Sequence, residues 1–345
     1  VKRGRLLWLL GGALLLAALI GAAVVARAVR SLDAPLNAAA PLRFEVPARA
    51  TLGQVAAQLA QHGVLAEPRA FVLYARYKGL AGRIKAGEYQ IEPGLTPRRL
   101  LEKMVSGQVL LHSFTIVDGW RVEDMLGALR RNPDVLTTLP AAPAHLMQTL
   151  GFADTEAEGQ FLPETYRFPS HTPDVELLRE AHAALVRTLE TEWAGRDPSI
   201  PLHSAQELLI MASIVEKESA VPEELPLIAG LYLNRLSIGM RLQADPTVIY
   251  GLGERYSGEL HTLDLRTDDP YNTYTRVGLP PTPIALPGAA ALHATAHPQK
   301  TDALYFVASG KSDGTHVFSS TLEQHNIAVA RYLERQRHKA ADTPR

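Results

Sequence analysis

Two carboxylates, Glu216 and Glu218, stand in the stretch Ala212-Ser-Ile-Val-Glu-Lys-Glu-Ser219, inside a segment otherwise dominated by apolar residues. A carboxyl group among apolar side chains is penalised in its ionised form, so its pKa rises and it can stay protonated near neutral pH. Such a group is suited to general acid catalysis, giving its proton to a leaving oxygen. No nucleophile motif and no metal-binding spacing accompanies the pair.

The element that must position them is a helix. Ser204-Ala-Gln-Glu207 reads as a capping box, and Leu208, Met211, Ala212, Val215 and Ser219 follow at helical spacing. Leu209, Ile210 and Ile214 widen the apolar surface, which predicts a buried helix whose one polar face carries Gln206, Ser213 and Lys217. Residues two apart on a helix point in widely different directions, so Glu216 and Glu218 cannot both act at one point. On the helical wheel Glu218 falls between Met211 and Ile214, while Glu216 lies nearer the polar face. Glu218 is therefore the expected acid and Glu216 its companion in the site. Taken alone, the helix also fits a buried glutamate paired with an arginine.

Two further segments offer groups for a substrate. The run Asn234 to Gly251 leaves a helix with Gly239 at the C′ position, and enters an extended stretch where Gln243, Asp245 and Thr247 would project to one side. The proline-stiffened loop Pro270 to Ile284 carries Tyr271, Asn272, Thr273 and Tyr274. Aromatic faces for sugar rings, with amides and hydroxyls for sugar hydroxyls, predict a saccharide cleft. His293 and His297 are one helical turn apart and suit zinc, but no HExxH and no evident third ligand accompany them. They read as a solvated helix end before Pro298, and neither a metal nor another cofactor is expected.

The rest of the chain places this helix in context. A net charge of −1 over 345 residues excludes the basic surplus of a nucleic-acid binder. The absence of cysteine excludes thiol catalysis and disulfides. Leu6 to Ala26 is an unbroken apolar run of bilayer-spanning length behind Lys2, Arg3 and Arg5. Residues 1–30 thus read as a cytoplasmic leader and single membrane span, with the bulk of the chain on the far side of the membrane. A cleaved signal peptide is the alternative, disfavoured by the length of the run and by Pro41 after Ala38-Ala39-Ala40.

Residues 31–41 read as a linker. Residues 42–108 form a strand–helix–helix–strand unit, with Thr51 and Thr96 as helix caps, that resembles a glycan-gripping LysM domain. Residues 109–334 mix helices with short strands at Ser113–Val117 and Leu304–Ala308, and residues 335–345 read as a polar, frayed tail. Strands and helices do not alternate regularly, so the expected fold class is α+β.

Taken in order, the motifs are more specific than any one of them. Glu158-Gly-x-Phe-Leu-Pro-x-Thr-Tyr166, Ala-Ser-Ile-Val-Glu-Lys-Glu-Ser219, Asn-Arg-Leu236, Gln-Ala-Asp-Pro-Thr-Val-Ile-Tyr-Gly251, Tyr-Asn-Thr-Tyr274, Gly-Leu-Pro-Pro281, His316-Val-Phe-Ser319 and Glu323-x-His-Asn326 closely resemble the MltG, or YceG-like, endolytic murein transglycosylases. The resemblance maps the single catalytic glutamate of that family onto Glu218, and brings Glu158 and Tyr166 into the candidate site. It implies cleavage between N-acetylmuramic acid and N-acetylglucosamine within nascent glycan strands of the bacterial inner membrane surface, leaving 1,6-anhydro ends, beside penicillin-binding synthases. Two rivals remain: a hydrolytic muramidase using Asp245 or Glu216 as second carboxylate, and a non-catalytic wall-binding or assembly protein.

Overall fold

The computed structural model describes residues 2–140, 145–153 and 155–342. The described chain is mixed α+β, rich in helices, and its strands pair only as four two-stranded sheets. It divides into two compact units, Val1–His112 with Phe168–His171, and Ser113–Arg167 with Thr172–Arg345.

The first unit opens with α1 (Lys2–Asp33), whose segment Leu10–Asp33 is long and apolar enough to cross a membrane, with mean hydropathy 2.2. Strand β1 (Leu42–Val46), α2 (Leu52–Gln61), α3 (Pro68–Tyr77), β2 (Gly87–Ile91) and α4 (Pro97–Ser106) follow. β1 and β2 pair antiparallel in the register Leu42↔Ile91 to Val46↔Gly87. Thr51 closes a full capping box with Gln54, and Thr96 Oγ1 accepts from Arg99 N, so both expected caps are present. The stretch expected as a linker is largely packed structure. α1 continues to Asp33, and Leu32 and Leu36 are buried in the core of this unit with Val55, Phe71 and Leu100. Leu36 N donates to Leu95 O and Asn37 N to Val64 O, because a buried backbone must satisfy its polar groups.

The second unit contains β3 (Leu111–Thr115), which begins in the first, then α5 (Val122–Arg131), β4 (Val135–Leu136), α6 (Leu146–Thr149), β5 (Thr165–Pro169), which ends in the first, and β6 (Thr172–Pro173). The helices α7 (Asp174–Gly195), α8 (Ala205–Glu218), α9 (Leu225–Ser237), α10 (Asp245–Leu252), α11 (Thr262–Arg266) and α12 (Ala289–Ala296) follow. A final hairpin of β7 (Tyr305–Ala308) and β8 (His316–Ser319) precedes α13 (Leu322–Asp342). The core is built on α8, α9 and α12, whose Leu208, Met211, Ile228, Leu231 and Leu292 are buried together. α12 is mostly alanine, which lets it lie close against both neighbours. Close approach recurs at Gly230 in α9, where a Cβ would stand 2.3 Å from the carbonyl oxygen of Gln299. The expected polar tail is instead part of a helix: α13 runs through residue 342, and Arg335 donates to Ser309 O.

Candidate active site

α8 begins where Ser204 Oγ accepts from Glu207 N at 3.1 Å. The capping box is only half made, since Glu207 Oε2 accepts from His203 N, one residue further back than expected. Ser213, assigned to a polar face, is fully buried; its hydroxyl donates to Ile210 O and accepts from Ile284 N, joining α8 to the loop that leads into α12. Glu218 is the last residue of α8, where the negative end of the helix dipole disfavours an anion.

Glu218 is desolvated more than Glu216. Burial pushes the Glu218 carboxyl up to about 7, against a hydrogen bond from Tyr232 and with added repulsion from Asp245. The residue keeps a partly accessible edge, which a group exchanging protons with a substrate needs. Tyr232 is buried in α9 and donates its hydroxyl to Glu218 Oε1. Its own pKa is raised well above the usual value by burial and by Glu218, so the phenol remains the donor. Arg235, one turn along α9, is also buried and donates to Leu242 O and Leu304 O at 2.5 and 2.6 Å. Those carbonyls come from the chain entering α10 and from the approach to β7, so one guanidinium fixes both walls of the cavity.

Two cavities meet at Glu218. One, of about 380 Å³, is lined by Glu218, Tyr232, Arg235, Gln243, Asp245 and Tyr274, with Tyr305, Phe306 and His325 opposite. Tyr305 stacks on His325, and Phe306 meets Tyr232 edge to face. The other, of about 410 Å³, is lined by Asp118, Gly119, Glu216, Lys217 and Glu218. There Glu216 Oε2 accepts from Gly288 N at the start of α12, and burial raises the pKa of both Glu216 and Asp118. A larger cavity of about 580 Å³ lies in the first unit, but no carboxyl lines it, so it offers no general acid.

The structure brings together Glu218, Gln243, Asp245 and Tyr274 in one cavity and sets Glu216 beside them in the next. Tyr274 donates to Asp245 Oδ1. Gln243 holds a left-handed backbone, φ 50°, which is uncommon for a side-chain-bearing residue and typical of strained functional sites.

Other expected cleft residues face inward. The extended stretch ends at Asp245, where α10 begins with Pro246 in its first turn, so Thr247 turns into the core and bonds Ala244 O and Thr273 Oγ1. Thr273 in turn accepts from Ala244 N, and buried Asn272 donates to three carbonyls of the segment from Asp264 to Thr267. Tyr271 is engaged with Thr282, and Tyr166 donates to Leu162 O. Glu158, also pushed up to about 7 by burial, accepts from Val122 N at the start of α5. These six residues hold the loops that shape the cleft and line neither cavity at Glu218.

Tyr232, Arg235, His325 and Asp118 were not among the expected site residues. His325 lies in the quoted Glu323-x-His-Asn326 motif, its one available signal; its Nδ1 is buried without a hydrogen-bond partner among the described residues. His293 and His297 stand at a solvent-exposed helix end, as expected, but Glu192 of α7 lies beside both, a carboxylate that the sequence reading did not bring to them.

The YceG-like family model matches residues 44–331. The chain is 31% identical over 322 residues to the endolytic murein transglycosylase of Bacillus subtilis strain 168, covering 86% of each protein. It is 27% identical to the endolytic murein transglycosylase of Streptococcus pneumoniae strain D39, covering 84% of this chain and 58% of that longer relative. A solved yceG-like protein of Listeria monocytogenes superposes with a TM-score of 0.52 at 28% identity, over 83% of this chain and 98% of the other. The matched stretch runs from β1 into α13 and includes every residue lining the cavities at Glu218, and the chain belongs to the YceG-like family.

Proposed function

We propose that this chain is an endolytic murein transglycosylase that cleaves the glycosidic bond between N-acetylmuramic acid and N-acetylglucosamine without water. The observation that carries the reading is a single carboxyl, Glu218, held near neutral pKa at the junction of two cavities. Because Tyr232 donates to Oε1, the acid proton is left to Oε2. Glu218 protonates the bridging oxygen, and the C1–O bond breaks with the electron pair leaving on that oxygen. The resulting carboxylate then takes the proton of the muramoyl C6 hydroxyl as its oxygen bonds to C1. The ring closes to a 1,6-anhydro end, and the acid is restored. The internal nucleophile is favoured by proximity, so no second carboxylate has to activate water. Asp245, oriented by Tyr274, supplies negative charge near the developing cation at C1.

The finer parts of the proposal concern placement. α1 anchors the protein in the inner membrane, with the basic leader Lys2, Arg3 and Arg5 inside and the chain that follows α1 outside. The antiparallel β1–β2 pair flanking α2 and α3 supports a LysM-like reading of the first unit, whose cavity beside Arg49 and Arg76 would take a glycan. The enzyme acts on nascent strands beside penicillin-binding synthases. The deciding experiment is mass spectrometry of glycan digested by wild type and Glu218→Gln. Anhydro-muramoyl ends from wild type alone are expected; equal product from both chains rejects Glu218, and reducing ends would make the enzyme a hydrolase with Asp245 or Glu216 as partner.

A further inference from the structure

Glu192, near the end of α7, faces the last turn of α12, where His293 and His297 stand one turn apart on one side of the helix. Glu192 Oε2 lies 3.0 Å from His293 Nδ1 and 3.3 Å from His297 Nε2. The imidazole centroids are 4.5 Å apart, and one ligand atom of each residue lies within 4.8 Å of the others. The geometry points to a binding site for a divalent transition-metal cation of the zinc class, held by Glu192, His293 and His297.

The distances suit the cation. Tetrahedral zinc binds nitrogen and oxygen at about 2.0–2.2 Å, which sets neighbouring ligand atoms roughly 3.3 Å apart. Both Glu192 contacts already have nearly that span, and the two imidazole ligand atoms lie within 4.8 Å of each other. Two imidazoles and a carboxylate are a borderline donor set that favours Zn²⁺, Ni²⁺ or Cu²⁺ over Mg²⁺ or Ca²⁺. The side chain of His293 is 64% exposed, giving the ion a way in and leaving room for a water as fourth ligand. The carboxylate of Asp197 also acts on His297 and adds negative potential at the site.

The three residues line neither cavity at Glu218, so the ion would not take part in the bond cleavage. It would cross-link α7 to α12, both of which pack on α8. The opposite end of α12 is Gly288, whose N–H holds Glu216. The site is thus a clamp on the helix that braces the cleft.

The test uses the full, tag-free chain in detergent, stripped with chelator and titrated with Zn²⁺ and separately with Co²⁺. Wild type is expected to bind one more tight Zn²⁺ than His293→Gln/His297→Gln. Its Co²⁺ form should show the visible band of a tetrahedral ion, which Zn²⁺ abolishes, and its melting temperature should rise with Zn²⁺ only when both histidines are present. Glu192→Gln and the single, exposed His293→Gln guard against misfolding of the double variant, and each should weaken binding at least about tenfold. Equal stoichiometry and affinity in wild type and the double variant, or a Co²⁺ form without the tetrahedral band, would overturn the site and show only a carboxylate bridging two imidazoles.

Discussion

The hydroxyl of Tyr232 and the carboxyl of Glu218 meet across the gap between α9 and α8, the phenol donating to Oε1. The two groups pull in opposite directions on one proton: burial holds it on Glu218, and the phenol favours its release. Replacing Tyr232 with Phe removes the second influence alone. The alkaline limb of kcat/KM, set near 7 by the protonated acid, should move upward while kcat falls about tenfold from lost orientation. A merely structural tyrosine would lower activity without moving the limb, and a pH–rate profile on purified glycan strands distinguishes the two.

Asp245 should act with the opposite sign. Its charge repels the ionised form of Glu218, so Asp245→Asn lowers the Glu218 pKa. The alkaline limb then shifts downward, and at pH 8 the variant loses proportionally more activity than at pH 5.5. A parallel loss at both pH values would mean that Asp245 does not influence the acid.

Glu218 also makes stability depend on pH. Its folded pKa, about 7, is above the ordinary glutamate value of 4.5, so the folded state retains a proton that the unfolded chain releases between those values. Stability therefore falls as pH rises through that window, by at most about 1.4 kcal/mol per pH unit for this group. Glu218→Gln should melt with wild type at pH 4 and above it at pH 8. Glu158 titrates in the same direction and remains in both proteins, so the pH dependence is reduced rather than abolished. Identical melting of the two chains at pH 8 would contradict the burial of the acid.

Gly230→Ala should be strongly destabilising. The new Cβ would sit 2.3 Å from Gln299 O and 3.2 Å from Thr301 Cγ2, and the first is backbone that cannot swing aside. Forcing α9 away from that segment also strains the bond from Asn234 Nδ2 to Thr301 O. A loss of about 2–3 kcal/mol is expected, read as a fall in melting temperature of roughly 5–10 °C.

What was legible in the sequence was local. The caps at Thr51, Thr96 and Ser204 sit where their hydrogen-bonding chemistry put them. Gly239 closes α9 with φ 68°, with Met240 N bonding Arg235 O and its own N bonding Leu236 O. The desolvation of Glu218 also followed from helical period alone. Tyr232 was hidden because an aromatic in the apolar run Leu231-Tyr232-Leu233 reads as core, which it is; only the tertiary fold puts its hydroxyl at a carboxyl. Glu192 was hidden by a sequence separation of 101 residues from His293. Polar residue type misled at Ser213, Thr247, Asn272 and Thr273, because a hydroxyl or amide is equally at home inside when the backbone offers it partners. Pro246 held an overlooked cue, since proline in a first turn marks a helix start and so turns Thr247 inward.

The unbroken passage of α1 into the core of the first unit has a mechanical meaning. Leu32 and Leu36 are seated in that core, Arg27 grips Glu67, and Arg98 grips Asp33. A flexible linker at this join would let the outer part sample a range of heights above the lipid. Here the join is a strut. Once α1 is seated in a bilayer, the first unit is held at one altitude and one tilt above it.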